Sequence, residues 1–577
     1  MISEHRENVR LRISILGIAL VFFLVAIGAR AAYLQVYCDD WLSGKAAEGY
    51  KKFLTSRGKR GSIYDSSHRK LAVAVDVTSV AAYPAKIQDV EETAAILVGA
   101  LNVDEEVLIS RLMSEKAFVW IKRQIPPKEA LAVRRLGLEG IDFIPEHHRF
   151  YPHKTSAAQV IGFCGIDGRG LEGIEFYYEN YLKGKEKTFT VLKDALGREF
   201  EGEDKRFTNS GGDNLVLTID LTIQYLTEKA LEGAVTKFSA NSGMAIVMSP
   251  KTGAVLALAH FPGFNPNSFH DFNKVFWRNR AITDPFEPGS VMKIFSAAAA
   301  IESGKYTANS QFYCEKGQYR IGSNIIHDTK KHGWLSLQEI VQVSSNIGAV
   351  KISENIGQKS LYEFLVDFGF GKRSRIDCPG ESPGKLRYYK KWAKIDAGTI
   401  AFGHGMSATA LQTAIATCAI ANNGILMKPY IVQAITDENG RLIKSFGPEV
   451  IKRVISSGTA RSVMQMMQSV TSEGGTGMNA ALNGYTSCGK TGTAQKIDEN
   501  GEYSQEKYIA SFIGFAPAED PEVVILVVVD EPEKRHHGGA VAAPAFKKIA
   551  QETLNYMDLP PGKSNTKRLV AFEVNSG

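Results

Sequence analysis

At 577 residues the chain is too long for one ordinary hydrophobic core, and two or three domains are expected. A hydrophobic share of 44% with 23% charged residues excludes a disordered chain. The net charge of +6 is mild for this length and gives no support to nucleic-acid binding.

The run ISILGIALVFFLVAIGA, Ile13 to Ala29, carries no charge, and as a helix it spans roughly 25 Å. Arg6, Arg10 and Arg12 precede it, while Asp39 and Asp40 follow. That asymmetry predicts a cytoplasmic stretch over 1–12, a transmembrane anchor over 13–36 and an external remainder. Ala29-Arg30-Ala31 also resembles the cleavage site of a signal peptide. The apolar run is long for such a peptide and an arginine inside the site fits poorly, so an uncleaved anchor is expected. The cysteines Cys38, Cys164, Cys314, Cys378, Cys418 and Cys488 form no C-x-x-C pair. No metal site, redox motif or cofactor is expected from them. Buried free thiols are the simpler reading, with a bridge such as Cys314 to Cys378 as the alternative.

Beyond the anchor, turn residues Asp65-Ser66-Ser67 precede a β-rich run from Leu71 to Tyr83. Helical spacing follows at Glu91–Leu101 and Pro127–Leu136, then a glycine-rich turn around Gly165–Gly170. This region, 37–213, holds no recognisable reaction centre. A Gly-rich hinge, a strand at Leu215–Ile219 and an amphipathic helix from Leu221 open a second unit, 214–560. Met244–Ser249 and Ala254–Pro262 flank the turn Pro250–Gly253 as a hairpin. Tyr508–Pro517 and Val523–Pro532 are two more buried strands, and a helix follows over Ala542–Met557. Strands at both ends of a helical middle imply an antiparallel sheet assembled from distant sequence and covered by helices. The tail, 561–577, is polar and expected to be flexible.

The stretch GYTSCGKTGTAQ, Gly484 to Gln495, admits two readings of one lysine. From Gly484 it is G-x-x-x-x-G-K-T, a phosphate loop; from Lys490 it is K-T-G-T, the third element of serine penicilloyl transferases. A phosphate loop needs a buried strand before it and a helix after it. Before Gly484 stands GTGMNAALN, and after Thr491 come Gly492 and the turn residues Asp498–Gly501, which leaves no room for a helix. The second reading requires a Ser-x-x-Lys and a Ser-x-Asn upstream. Both are present, as Ser290 with Lys293 and as Ser344 with Asn346.

Residues three apart share a helix face, so Lys293 can take the Ser290 hydroxyl proton. A lysine base must be neutral at working pH, which calls for desolvation and a neighbouring positive charge, here Lys490. Ser344 can relay a proton to the leaving amine, and Asn346 can hold the substrate amide. Thr491 and Thr493 offer hydroxyls to a terminal carboxylate. With K-T-G-T as an edge strand, the backbone amides of Ser290 and Thr493 form an oxyanion hole, and Gly492 leaves room for the acyl chain.

With these motifs in place the chain resembles the class B penicillin-binding proteins, above all their division-specific (septal) branch, penicillin-binding protein 3 in many bacteria. RNRAITDPFEPGSVMKIF is similar to that branch's nucleophile block, with Val291 where threonine is common. AFGHGMSATALQTAIATCAIANNG, SFIGFAP, and VVDEP followed by GGAVAAPAF look like septal-type segments. RGSIYD and GLEGIEFYYENYL resemble the non-catalytic pedestal. The resemblance implies an α+β chain: an N-terminal transmembrane helix, a mixed α/β elongated pedestal, and a transpeptidase domain. That last domain has an antiparallel sheet of about five strands flanked by helices, plus an all-helical subdomain. It implies a monofunctional D,D-transpeptidase that attacks D-Ala-D-Ala ends of peptidoglycan stem peptides, cross-links them, and is acylated by β-lactams at Ser290. Its implied partners are nascent glycan from lipid II, a glycan polymerase of the shape-elongation-division-sporulation family and other divisome membrane proteins. An elongation-type enzyme is the nearest alternative. A bifunctional enzyme fits less well, because in EDKRFTNSGG from Glu203, Ser210 stands where a glycosyltransferase histidine belongs. No E-x-x-x-N glutamate lies between the second and third motifs, which argues against a β-lactamase. A silent β-lactam-binding scaffold or sensor remains the non-enzymatic alternative. His536-His537 reads as a structural loop near the site.

Overall fold

The computed structural model describes residues 2–39, 41, 51–184, 186–193, 199–200, 211–498 and 500–561. The segment at 203–210 and the tail from 562 lie outside the described residues. The chain divides into two compact units, Met1–Gly58 with Gly184–Ser210, and Lys59–Lys183 with Gly211–Gly577.

The first unit contains a helix over Ile2–Val36. Its apolar residues surround the axis instead of forming one stripe, so Leu16, Phe22 and Phe23 all stand exposed. The stretch Ile13–Val36 is long and apolar enough to cross a membrane. The same unit holds an antiparallel sheet in which Lys51–Arg57 pairs with Glu186–Lys193, and the latter with Glu199–Phe200.

In the second unit a seven-stranded sheet gathers strands from widely separated sequence. Lys70–Ala82 is its longest strand and pairs with Ile63–Tyr64, Val119–Ile125 and Ile141–Phe150. Ile63–Tyr64 runs parallel to Asn214–Leu217, which in turn pairs with Val432–Thr436. The strand expected at Leu215–Ile219 ends earlier because Asp220 turns to cap the next helix, its Oδ1 accepting the N–H of Thr222 and Ile223. Glu175 is the polar centre of this region. It is fully buried and takes Arg60 Nε at 2.7 Å and Arg149 Nε at 2.6 Å. RGSIYD and GLEGIE are thus joined by one ion-pair node.

A five-stranded antiparallel sheet carries the site. Its strands are β1 (Ser242–Met248), β2 (Val255–Phe261), β3 (Cys488–Ile497), β4 (Tyr503–Ala516) and β5 (Val523–Asp530), in the order β2-β1-β5-β4-β3. β1 and β5 are buried on both faces, which explains their unbroken apolar runs. K-T-G-T therefore lies on an edge strand, with Lys490 opposite Ile513 and Thr493 opposite Ala510. One face is covered by α1 (Leu221–Lys237) and a C-terminal helix, Ala543–Tyr556. The other faces the helices α2 (Lys293–Glu302), α3 (Leu337–Val343), α4 (Asn346–Ile356) and α5 (Ala410–Ala421). The expected hairpin and both later strands are present, although β4 begins at Tyr503, five residues before Tyr508. All six cysteines are free, and Cys314 is not bridged to Cys378.

Candidate active site

Pro288-Gly289 sets the entry to the nucleophile helix. Gly289 has φ +56°, and a Cβ there would stand 2.8 Å from Thr493 O, so the turn fits against β3 only with glycine. A tight 3-10 turn, Gly289–Met292, then carries half-buried Ser290 into α2. α2 is buried nearly all round, and its four consecutive alanines let neighbouring elements approach closely. Lys293, on its first turn, is 1% exposed.

α3 opens with a capping box between Ser336 and Glu339 and closes at Ser344, which has φ +64°. That left-handed backbone is uncommon for a residue with a side chain. Ser345 then caps α4 by accepting Gly348 N–H at 2.9 Å, so Ser344 and Asn346 straddle the break between two helices.

The three motifs meet at this break. Lys293 Nζ donates to Ser344 O at 2.6 Å, Ser344 Oγ at 3.2 Å and Asn346 Oδ1 at 2.7 Å. Lys490 Nζ donates to Ser344 Oγ at 2.9 Å and to Thr491 O at 3.0 Å. Lys293 thus has three acceptors, the full set for an ammonium group, and Ser290 Oγ is not among them. Asn346 spends Oδ1 on Lys293 and one Nδ2 hydrogen on His327 O at 3.0 Å. Its second amide hydrogen is what it can offer a substrate.

Both lysines are buried, and burial disfavours their charged forms. Lys293 is pushed down to about 7 by burial, partly offset by the negative charge of Asp328. Lys490 lies well below the ordinary lysine value, through burial and then the like charge of Lys293. Two such amines around one hydroxyl share their protons as a pair. Lys490 is therefore less a fixed cation than the sequence alone implies.

The K-T-G-T residues divide by strand alternation. Thr491 is 7% exposed and its hydroxyl lies 3.0 Å from that of Thr476. Thr493 is half-buried, and its Oγ1 accepts Gly538 N–H at 3.2 Å. Gly492 is packed closely. A Cβ there would fall 2.2 Å from Ser511 Oγ and 3.0 Å from both Pro288 O and Val291 Cγ2. It faces the protein, and its small size is what seats the nucleophile turn on the strand.

Sequence reasoning passed over three neighbours. Asp328 binds the Ser-Ser-Asn turn. Glu287, three residues before the nucleophile, accepts Gly405 N–H at 2.8 Å and Tyr503 O–H at 3.1 Å, and burial raises its carboxyl. His404 stacks on Tyr503 with ring centres 5.2 Å apart, and burial and Lys293 push its imidazole down to about 4. None has a spacing signature; the glycines flanking His404 were the one available hint. His536 stacks on Tyr508 at 4.2 Å, beside His537.

The chain matches the penicillin binding protein transpeptidase domain over residues 243–551 and the penicillin-binding protein dimerisation domain over 55–217. The chain is a class B penicillin-binding protein. It is 35% identical to PenA of Neisseria meningitidis over 566 residues, 97% of this chain and 95% of that protein. To the peptidoglycan D,D-transpeptidase FtsI of Escherichia coli it is 34% identical over 584 residues, 100% of this penicillin-binding protein and 97% of the relative. Among solved structures it is similar to penicillin-binding protein 3 of Mycobacterium tuberculosis complexed with aztreonam. The TM-score there is 0.70 at 28% identity, covering 88% of this chain and 98% of that one.

Proposed function

We propose that this penicillin-binding protein is a septal peptidoglycan D,D-transpeptidase working through a serine acyl-enzyme. The observation that carries the reading is the shared hydroxyl, Ser344 Oγ, held by Lys490 and by Lys293, which stands three residues after Ser290. FtsI, a peptidoglycan D,D-transpeptidase related over the full chain, and the aztreonam complex of a related protein support it.

The substrate's terminal carboxylate is received by Thr493 and Thr491, with Lys490 behind them, and this negative charge draws a proton onto Lys490. Lys293, left neutral, accepts the Ser290 proton as Oγ attacks the carbonyl carbon of the penultimate D-alanine. The oxyanion is met by the backbone N–H groups of Ser290 and Thr493. Ser344 passes the proton to the departing amine, D-alanine leaves, and the acyl group stays on Ser290. Asn346 holds the substrate amide meanwhile. An amine from a neighbouring stem peptide then attacks the ester and restores the serine. β-Lactams enter as substrate mimics.

In this reading 1–12 is cytoplasmic, 13–36 the anchor, 37–213 the pedestal, 214–560 the catalytic domain and 561–577 a tail. The catalytic domain lies outside the cytoplasmic membrane at the division septum. Glycan is supplied by a separate polymerase of the shape-elongation-division-sporulation family, working with other divisome proteins.

The test is labelling of the full-length protein in detergent with a fluorescent penicillin, beside Ser290→Ala and Lys293→Ala. A stable label lost in both variants supports the assignment. Label surviving in Ser290→Ala moves the nucleophile elsewhere, and an unlabelled, folded wild type favours a scaffold.

A further inference from the structure

Asp328 follows the short strand Asn324–His327 and is half-buried behind the Ser-Ser-Asn turn. Its Oδ2 accepts Ser345 Oγ at 2.6 Å. Its Oδ1 accepts the backbone N–H groups of Asn346 and, at 3.1 Å, of Ile347. Donors from three consecutive residues therefore converge on one carboxylate at the start of α4, where negative charge is favoured. Asn346, fixed by its N–H, gives its side-chain oxygen to Lys293. The left-handed backbone of Ser344 is likewise held between the end of α3 and this anchored turn.

We propose that Asp328 is a positioning residue for the reaction at Ser290, its carboxylate fixing the turn that presents Ser344 and Asn346 to Lys293. The inference rests on the transpeptidase reading above. The surrounding charges make the effect specific. The charge on Lys293 pushes Lys490 and His404 down, whereas Asp328 favours a proton on Lys293 itself. On its other side lies the Cys314 thiol, 3.5 Å from Ser345 Oγ, with the Lys351–Glu315 pair beyond it at 3.1 Å. His327 contributes its carbonyl to Asn346. A simple helix cap would matter to stability alone. A positioning residue also sets where the lysine pair loses its proton.

The experiment is the rate constant for acylation by a fluorescent penicillin from pH 5 to 9, on full-length protein in detergent, with melting temperatures alongside. Asp328→Asn keeps an acceptor of the same shape and removes the charge. Its acid limb should move to lower pH by about one unit, with a plateau about three- to tenfold lower as the base weakens. Asp328→Glu keeps the charge but displaces the carboxylate; its limb should stay at the wild-type pH while the plateau falls. A profile for Asp328→Asn that superimposes on wild type, with only the melting temperature changed, overturns the proposal. So does an equal limb shift in Asp328→Glu, which also decides the matter if the asparagine variant does not fold. A wild type that is not acylated at any pH sinks the transpeptidase reading itself, a failure distinguishable from either of these.

Discussion

Lys293 and Lys490 donate to the same oxygen, Ser344 Oγ, at 3.2 and 2.9 Å. Two buried amines around one hydroxyl cannot both keep a proton cheaply, since like charges in a poorly solvated site repel strongly. Burial pushes Lys293 down to about 7, which suits the base role proposed for it.

The first expectation concerns pH. In the proposed mechanism proton transfer from Ser290 needs neutral Lys293, so acylation should be lost as pH falls through about 7. Below that point the rate should drop about tenfold per pH unit, as expected for one essential base. Stopped-flow acylation by a chromogenic β-lactam reads this directly. A flat profile down to pH 5 would remove Lys293 from the role.

Ser344 is tested by a pair of substitutions. Ser344→Ala removes the shared acceptor and, in the proposed mechanism, the proton relay, so acylation should fall roughly 10²- to 10³-fold, the range for a positioned proton-transfer group. Ser344→Gly should be as inactive yet more stable than the alanine variant by about 1 kcal/mol, because φ +64° suits glycine. Equal melting temperatures for the two would mean the backbone strain is relieved elsewhere.

Much of this site could be read from the chain alone, and the limits have a physical basis. Ser290 with Lys293, and Ser344 with Asn346, are local pairs whose chemistry is set by helix and turn geometry, so their spacing exposes them. The strands β1 and β5 are equally plain, since burial on both faces leaves unbroken apolar runs. Asp328 was invisible because it reaches its three donors from a hairpin 17 to 19 residues away, with nothing periodic between them. Gly492 stands out in the sequence as a small residue, but only tertiary packing shows that its α-carbon faces Ser511 and the nucleophile turn. The seven-stranded sheet joins residue 63 to 215 and 217 to 432, pairings that no local pattern encodes.

That packing gives Gly492 a specific outcome. In Gly492→Ala the new methyl would lie 2.2 Å from Ser511 Oγ and 3.0 Å from Pro288 O and Val291 Cγ2. Overpacking of this kind costs about 1–3 kcal/mol, and here it falls on the turn that aims Ser290. Penicillin labelling should slow more than about tenfold, the penalty for a displaced reacting group. Adding Ser511→Ala removes the nearest atom and should restore part of the rate, leaving the two 3.0 Å contacts. No recovery in the double variant would place the obstruction at Pro288 and Val291.

Glu175 tests stability apart from catalysis. It is 0% exposed between Arg60 and Arg149, each 7% exposed. Burial opposes its charged form, but Arg149 and Arg60 outweigh burial and hold its carboxyl below the ordinary range. A depressed carboxyl adds stability above its unfolded value, about 4.3, and loses it as pH falls through the lower folded value. Melting temperature should therefore be insensitive to this group between pH 5 and 8 and decline below about 4. Glu175→Gln leaves two buried guanidinium groups facing each other, and removing one partner of such a node costs about 3–5 kcal/mol. Thermal unfolding of the detergent-solubilised chain should show that loss at pH 7 and a weaker acid dependence than wild type. A variant as stable as wild type at pH 7 would mean that water or a rearranged side chain compensates both arginines.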